Sequence, residues 1–541
     1  MKTKTVLAYL VIISLISLGF KLYLIDFTLP VNSDNLAYVL NGIAHTNGDY
    51  TQPPQRAIGW SVFLSLFFNF MNSENFLDYS NLAKIISVGI STSTIFLIYL
   101  VGRKFFDQRY AISTSCLFAF IPYLNYNSSL ALSEPLFIFV ILGSFYFLLQ
   151  EKSKFIILSL ILAGIAYWVR FNGILIFLII SFTYILTYKK SQNFLKNYGI
   201  GIVLFLIIIS PMLIQKNDQY GDPFYSSFSG KIFSDNYQDF LSNIDTETKV
   251  SASDYIDENG IFSFIENFIF NGVLNSITIL LKLSFPYLLI LLPFGILFSF
   301  RAFDQKSNYI KINWLFIIGS FSSMCIIVAL VPEKRFLLFL LPYLILFCVI
   351  PLQRVIEYGL NTFGFSRKQK DIFLVIVLII VIMLSGFSTL RYETTDLILE
   401  NEKINFAQYA LENLSGNALR EFGGSTDYVT NLVLYDYNNF KDFEINYWID
   451  KEERKKFDFR TISISANNLN ELITKGQNLE LKYLIAYDHD TPIHNYVNKI
   501  YDNETNYPFL IKIFDSNDLG YTKLKIKIFE IDYVKFYELM R

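Results

Sequence analysis

The feature that most constrains this chain is a long series of apolar segments. Crossing the hydrocarbon core of a bilayer as a helix takes about 20 predominantly apolar residues. Hydropathy predicts eleven such spans, near residues 5–25, 81–101, 110–127, 133–149, 155–169, 171–188, 197–215, 273–300, 312–331, 336–352 and 371–390. The composition, 53% hydrophobic and 17% aromatic, agrees. We therefore predict a polytopic α-helical membrane protein.

The charges of the short loops predict an orientation, because Lys and Arg collect in cytoplasmic loops. With a cytoplasmic N-terminus, one side of the membrane receives most of the loop cations: Lys2, Lys4, Arg103, Lys104, Arg109, Lys152, Lys154, Lys189, Lys190, Lys196, Arg301, Lys306, Lys311, Arg354, Arg367, Lys368 and Lys370. The first span has no small-residue cleavage site after it, so we expect a retained anchor. The opposite, extracytoplasmic side receives loops 26–80 and 216–272 and everything after about residue 391.

The tail is predicted to form a separate domain. Residues 391–541 are polar with short apolar runs, of which "NLVLYDY", "LKYLIAYD", "FLIKIFDS" and "LKIKIFEID" are typical of strands. The stretches "INFAQYALENLSG" and "NNLNELITKG" are typical of helices that stop at glycine. We predict a membrane domain over 1–390 in a cell membrane and a soluble extracytoplasmic α/β domain over 391–541.

Several other classes of protein are disfavoured by composition. The net charge of −2 and the absence of a basic run give no sign of nucleic-acid binding. Cys116, Cys325 and Cys348 all lie in apolar stretches, which argues against a disulfide framework. No metal-ligand spacing, glycine-rich phosphate loop or nucleophile triad is present, so no metal and no cofactor is predicted.

The loop after the first span contains an amphipathic helix. In "NSDNLAYVLNGIAHTNG" the apolar residues recur at helical spacing, Ser33 is suited to the N-cap, and Asn47-Gly48 ends the pattern. Asp34 falls in the first turn, close to the end of the first span. A carboxylate there can complement the helix dipole, or it can act in catalysis.

Residues 1–350 resemble the polyprenyl-phosphate-dependent glycosyltransferases of the GT-C fold. The likeness rests on the acid followed by an amphipathic helix and the Pro-Pro pair, and on "LALSEPLFIFVILGSFYFLL", "ILAGIAYWVRFNGILIF" and "PEKRFLLFLLPYLILF". It is greatest toward the dolichyl-phosphate-mannose protein mannosyltransferases and the lipid A aminoarabinose transferases. The sequence departs from the former at Asp34-Asn35, where they carry Asp-Glu, and lacks the Trp-Trp-Asp signature of oligosaccharyltransferases.

The resemblance implies transfer of a sugar from a polyprenyl (dolichyl-type) phosphate to an acceptor hydroxyl on the outer face of the membrane. Asp34 would be the general base of a single inverting displacement, and Glu134 would orient the acceptor or Asp34. Arg56, Arg335, Lys334 and Arg170 are cations on the side that the positive-inside bias depletes. We expect these four to bind the donor phosphate, with Arg335 and Arg56 foremost because a guanidinium matches a phosphate bidentately.

Alternative interpretations remain for both the site residues and the function. Glu134 can be a solvated acid at the end of a span, and the four cations can extend to lipid headgroups. The acceptor can be a protein, a glycolipid or a lipid-linked glycan. The main alternative function is a transporter or lipid-linked sugar flippase with an accessory outer domain, and a further one is a surface receptor. A transporter would be expected to carry ionisable residues in mid-span.

Overall fold

The structure is a computed structural model of the 541-residue chain. It describes residues 3–150, 152–226, 228, 230–234, 240, 250–300, 307–392, 396–420, 440–445, 458–489 and 494–540. The predicted strand "NLVLYDY" and four of the ten acidic residues of loop 216–272 lie outside this range. The described part comprises a helical membrane region and a small α/β unit at the C-terminal end, so the predicted fold class is confirmed.

The membrane region begins with ten helices. They are α1 (Thr3–Tyr23), α2 (Ser33–Thr46), α3 (Gly59–Phe68), α4 (Phe76–Phe105), α5 (Gln108–Ala119), α6 (Pro122–Ser129), α7 (Glu134–Leu148), α8 (Phe155–Val169), α9 (Gly173–Tyr188) and α10 (Phe194–Tyr220). Helix α2 is the predicted amphipathic helix, and its apolar positions, among them Val39 and Leu40, are fully buried. This burial fixes which side of α2 faces the other helices.

The second half of the membrane region follows the long loop. It contains α11 (Ala252–Phe264), a π-helical stretch (Ile265–Phe270), α12 (Asn271–Ser284), α13 (Leu288–Ser299), α14 (Ser307–Leu330), a 3-10 helix (Lys334–Leu340), α15 (Leu341–Arg354), a π-helical turn (Val355–Gly359), α16 (Leu360–Thr362) and α17 (Arg367–Thr389). Helix begins at Ala252, so the loop predicted at 216–272 is shorter than expected.

Seven helices of the described residues are long and apolar enough to cross a bilayer, or eight if the bent pair α6–α7 is one span. Two predicted spans are each divided into two helices. The segment 110–127 breaks between α5 and α6 at Pro122, and the segment 273–300 breaks between α12 and α13 at Pro286. Proline cannot donate the helical hydrogen bond, which accounts for both breaks. Helix α6 turns back by 120° into α7.

Loops that were predicted to share the cationic side of the membrane do meet. Arg109 donates to Asp371 at 2.7 Å and to Glu357 at 2.9 Å, and the hydroxyl of Tyr110 donates to Glu357 at 2.8 Å. These contacts join the start of α5 to the π-helical turn Val355–Gly359 and to the first turns of α17. These parts of the chain therefore lie at the same end of the helices, and the predicted orientation stays a prediction.

The C-terminal unit is a mixed sheet between two helical layers. Its elements are α18 (Leu397–Asn413), β1 (Gly416–Leu419), β2 (Phe459–Ile462), α19 (Leu469–Asn478), β3 (Leu481–Tyr487), α20 (Asn495–Asn498), β4 (Leu510–Asp515), β5 (Ile526–Ile531) and α21 (Tyr533–Met540), with 3-10 turns at Phe440–Asp442, Glu504–Asn506 and Ser516–Leu519. The strand order is β2-β1-β3-β5-β4, with β1–β2 and β1–β3 parallel and the other pairs antiparallel.

Successive side chains along a strand point to opposite faces of the sheet, so each strand contributes apolar residues to both faces. Ile485 and Tyr487 of β3 pack on the side of α18, whereas Leu484 and Ala486 pack on the side of α19. The three predicted strands that lie in the described residues are confirmed, and so are the two predicted helices. Helix α19 continues two residues beyond Gly476, where the sequence had suggested a stop.

Candidate active site

Asp34 lies in the first turn of α2 and pairs with two arginines from distant parts of the chain. Arg335 donates to Oδ2 at 2.5 Å, and Arg56 donates to Oδ1. Arg56 comes from the segment between α2 and α3, and Arg335 comes from the start of the 3-10 helix before α15. The Asp34 side chain is one-third exposed, so the pair is open to solvent on one side.

The two arginines control the ionisation of Asp34. Burial by itself would raise the pKa of the carboxyl group, but the two guanidinium charges and their hydrogen bonds outweigh that effect and hold the pKa well below its usual range. Asp34 is therefore an anion in this arrangement. A carboxylate whose pKa is so low is a weak proton acceptor until one of the arginines turns to another anion.

A second ion pair lies beside the first. Glu134, the first residue of α7, is 3% exposed and accepts a hydrogen bond from Arg170 at 2.5 Å. Arg170 follows α8, where the chain becomes extended before α9. The two ion pairs border one small cavity, whose walls include Glu134, Arg170, Arg335, Phe336 and Asn172.

Glu134 retains an unused hydrogen-bonding atom. Its Oε1 is paired with Arg170, whereas Oε2 is buried and has no hydrogen-bond partner among the described residues. Leaving a buried carboxyl oxygen without a donor costs free energy, so Oε2 is available to accept a hydrogen bond from a ligand or a water molecule. This arrangement differs from a simple solvated acid at the end of a span.

The structure thus brings together five of the six residues selected from the sequence. Asp34, Arg56 and Arg335 form one group, and Glu134 and Arg170 form the neighbouring pair. The sixth residue, Lys334, lies with its ammonium 5.3 Å from the centre of the Tyr123 ring. The roles assigned to these residues stay predictions.

Sequence reasoning missed three contributors to the site. Glu333 forms an ion pair with the guanidinium of Arg335. Asn172 and Phe336 line the cavity. Glu333 could have been selected, since it belongs to "PEKR", but Asn172 and Phe336 carry no signal apart from their neighbours Arg170 and Arg335. Among the described residues, no group of three His, Cys, Asp or Glu side chains is placed to hold a metal ion.

Comparison with known proteins supports the class that the fold and site suggest. Residues 62–214 match the family described as dolichyl-phosphate-mannose-protein mannosyltransferase. No curated protein matches the chain by sequence.

Three solved structures have a similar fold. The Archaeoglobus fulgidus oligosaccharyltransferase in its apo form is 11% identical with a TM-score of 0.58, and the match covers 90% of this chain and 70% of that one. AglB from the same organism, in complex with an inhibitory peptide and a dolichol-phosphate, is 14% identical with a TM-score of 0.54, covering 89% and 69%. ArnT from Cupriavidus metallidurans, bound to undecaprenyl phosphate, is 10% identical with a TM-score of 0.53, covering 98% of both chains.

The fold is therefore that of the GT-C class of membrane glycosyltransferases. The family match within the membrane region agrees with this class, so the predicted resemblance and the predicted enzyme class are confirmed.

Proposed function

We propose that this protein transfers a sugar from a polyprenyl phosphate to an acceptor hydroxyl at the extracytoplasmic face of the membrane. The observation that carries the proposal is the group formed by Asp34, Arg56 and Arg335 beside the Glu134–Arg170 pair. It combines a carboxylate that can take a proton with guanidinium groups that can bind a phosphate. The structures of AglB with a dolichol-phosphate and of ArnT with undecaprenyl phosphate support this donor class.

Asp34 would become a base when the donor binds. The donor phosphate competes with Asp34 for the hydrogen-bond donors of Arg335 and Arg56. As these cations turn toward the phosphate, the pKa of Asp34 rises, because nearby positive charge is what keeps it low. Donor binding would in this way prepare the base for the reaction.

The reaction is a single displacement at the anomeric carbon. Asp34 removes the proton of the acceptor hydroxyl while the acceptor oxygen forms a bond to that carbon. The bond from the same carbon to the phosphate oxygen breaks, and the phosphate leaves with the electron pair, stabilised by the guanidinium groups. Attack opposite to the leaving group inverts the configuration. The buried Oε2 of Glu134 is placed to accept a hydrogen bond from a second hydroxyl of the substrate.

Two comparisons bear on the class of the acceptor. The Archaeoglobus enzyme has been crystallised with a tethered acceptor peptide, and the family match names a protein mannosyltransferase. We propose a protein hydroxyl as the acceptor, with a glycolipid and a lipid-linked glycan as the outcomes that would replace it. Mass analysis of surface proteins and glycolipids from cells with and without the protein separates these outcomes, because only one class loses a sugar.

The substitution Asp34→Asn tests the catalytic proposal. Asn retains the shape and the capping ability of Asp, so a helix-dipole role would survive with a loss of about 0.3–1 kcal/mol in stability. Loss of a general base should instead lower turnover by about 10²–10⁴-fold. The surface glycan in cells that lack the protein, restored by wild type or by the variant, reports turnover without knowledge of the sugar. Normal restoration by Asp34→Asn would overturn the proposal.

Binding of undecaprenyl phosphate to the purified variant in lipid provides the control. Asp34→Asn should bind this sugar-free probe at least as well as wild type, since the competing carboxylate has been removed. Glu134→Gln keeps the hydrogen-bonding shape of a carboxyl group and, assayed alongside, shows whether the second acid contributes to turnover.

A further inference from the structure

A short segment of the C-terminal part, residues 440–445, is packed on the membrane region beside the C-terminal end of α2 and the start of α4. We refer to these six residues as the strap. Phe440 is 1% exposed, and Phe443 and Ile445 are also buried. All three belong to the hydrophobic core of the membrane region and not to either core of the sheet. The strap is therefore attached to the membrane helices although it belongs to the tail by sequence.

Aromatic contacts attach the strap directly to α4 and, through Tyr79, connect it to α3. The Phe440 ring lies 5.5 Å from the ring of Phe76 and 5.4 Å from that of Tyr79, both edge-to-face and both on α4. Tyr79 in turn lies 5.2 Å from Phe68 at the end of α3. At Gly42 of α2, a Cβ would come within 2.9 Å of the Phe68 ring, so α2 and α3 are packed without room for a side chain. Phe440 thus supports the junction of α2, α3 and α4.

Polar contacts attach the strap to the turn that follows α2. The side-chain amide of Asn47 donates to the carbonyl of Lys441 at 2.7 Å, and Asp49 accepts a hydrogen bond from the amide of Ile445 at 2.7 Å. Lys441 also pairs with Glu74 at 2.5 Å, just before α4. Two backbone groups of the strap are therefore satisfied by side chains of the membrane region, which specifies its register as well as its location.

The position of the strap affects the candidate active site because α2 carries Asp34. Asp34 is in the first turn of α2, and Arg56 lies between α2 and α3. A 14-residue helix spans about 20 Å and is stiff, so a tilt at its C-terminal end moves its first turn. Arg335 belongs to a separate element, the 3-10 helix before α15. The alignment of Asp34 with Arg335 therefore depends on how the α2–α3 pair is held against the other helices.

We propose that the strap positions Asp34 and Arg56 for donor binding and transfer, with Phe440 as its main positioning residue. The proposal rests on the proposed function for the transfer step. The geometric part of the proposal, that the strap fixes the position of α2, does not depend on the reaction. The C-terminal region would then take part in forming the active site instead of only extending from the membrane.

The test compares Phe440→Ala with Phe536→Ala in full-length protein in lipid. Both phenylalanines are 1% exposed, but Phe536 lies in the core of the sheet, away from the strap. We expect Phe440→Ala to increase amide hydrogen exchange in residues 33–46, to weaken binding of undecaprenyl phosphate about tenfold, and to lower transfer by about 10–100-fold, the loss that misplacement of a reacting group by about 1 Å can cause. Phe536→Ala should leave all three near wild type. Equal behaviour of the two variants would overturn the proposal.

A disulfide that fixes the strap in place should rescue a loss of positioning, whereas it would not rescue a general packing defect. Asn47→Cys with Lys441→Cys introduces a cysteine pair intended to link the strap to the turn after α2. The three native cysteines are all buried and should not compete for this pair. In the Phe440→Ala background, the oxidised pair should restore probe binding to within about threefold of wild type, and reduction should remove the gain. Failure of the oxidised pair to restore binding would overturn the positioning role.

Two further outcomes are defined. If Phe440→Ala does not insert, Asn47→Ala combined with Lys441→Ala removes polar contacts without altering the core, and it should weaken probe binding a few-fold; wild-type binding by this variant would overturn the proposal. If wild type binds the probe and transfers no sugar, the proposed function fails. Hydrogen exchange and probe binding would then still test whether the strap positions α2.

Discussion

At the scale of single residues, the candidate site depends on the sharing of Asp34 between two guanidinium groups. The same two groups are the ones best suited to bind a phosphate, so the carboxylate and the donor would use overlapping hydrogen-bond donors. Arg335 and Lys334, although adjacent in the sequence, lie in different surroundings. Arg335 pairs with Asp34 and Glu333, whereas Lys334 lies over Tyr123.

The first prediction concerns this pair of neighbours. Arg335→Ala should weaken binding of undecaprenyl phosphate more than Lys334→Ala does, and Arg335→Lys should restore only part of it, because an ammonium group lacks the planar fork of a guanidinium. Binding measured in lipid by titration with the probe decides the order of affinities. Equal affinities for all three variants would show that Arg335 has no part in binding the phosphate.

The second prediction concerns pH. The acid limb of kcat/KM reports the free enzyme, in which the arginines hold the pKa of Asp34 below its usual range, about 3.9. Transfer at limiting donor should therefore stay constant between about pH 7 and pH 5 as far as Asp34 is concerned. Arg56→Ala removes a cation that favours the charged form, so its acid limb should move to higher pH. An unchanged or lower acid limb would contradict this assignment.

At the scale of elements, the segment that carries Arg56 is held by the end of α10. The hydroxyl of Tyr220 donates to the carbonyl of Gln52 at 2.7 Å, and the side chain of Gln52 donates to Gln215 at 3.0 Å. Gln215 donates to the carbonyl of Tyr50 at 2.8 Å. These contacts link α10 to residues 50–52, which lie between α2 and α3 and precede Arg56 in the sequence.

The third prediction follows from this link. Gln215→Ala removes two of its hydrogen bonds, each worth about 1 kcal/mol, and should raise the KM for the donor several-fold while kcat stays within about twofold. Asn217→Ala, an exposed position on the same turn of α10, is the matched control. A loss of kcat at constant KM would indicate that the link serves the chemical step instead of donor binding.

The elements also show what the sequence could and could not predict. Helix α2 was predictable because its apolar residues repeat at helical spacing, and the sheet was predictable from short apolar runs between turn signals. Hydropathy averages over a window and gives no weight to a single proline, so the breaks at Pro122 and Pro286 were missed. The contact of Asp34 with Arg335, 301 positions apart, is created by helix packing and leaves no local pattern.

At the scale of the whole molecule, the orientation in the membrane remains a prediction. The exposed Asn503 in the tail and the exposed Lys368 at the start of α17 lie on opposite sides of the membrane in the predicted topology. Because the three native cysteines are buried, Asn503→Cys and Lys368→Cys can each be labelled selectively. A membrane-impermeant maleimide should label position 503 in intact cells and position 368 only after permeabilisation. The reverse pattern would refute the topology and the site location with it.

The fold also limits which asparagines of this chain can carry a glycan. Asn413 and Asn503, each the acceptor of an Asn-X-Ser/Thr triplet, are exposed on the C-terminal unit. The third such residue, Asn127, is 1% exposed within α6. A bulky glycan cannot be accommodated at Asn127 in this fold.

The pairing of Asp34 with Arg56 and Arg335 has a consequence for selectivity among anions. A side chain held in place acts at an effective concentration in the millimolar range or above, so a dilute anion must supply additional binding energy to replace it. Inorganic phosphate has only its charge to offer. A phosphate anchored in the bilayer by a polyprenyl chain also brings its own high local concentration and its lipid contacts. If the proposed donor site is correct, the resting carboxylate would therefore screen it against soluble phosphates, and only an anion delivered by the membrane would displace the carboxylate.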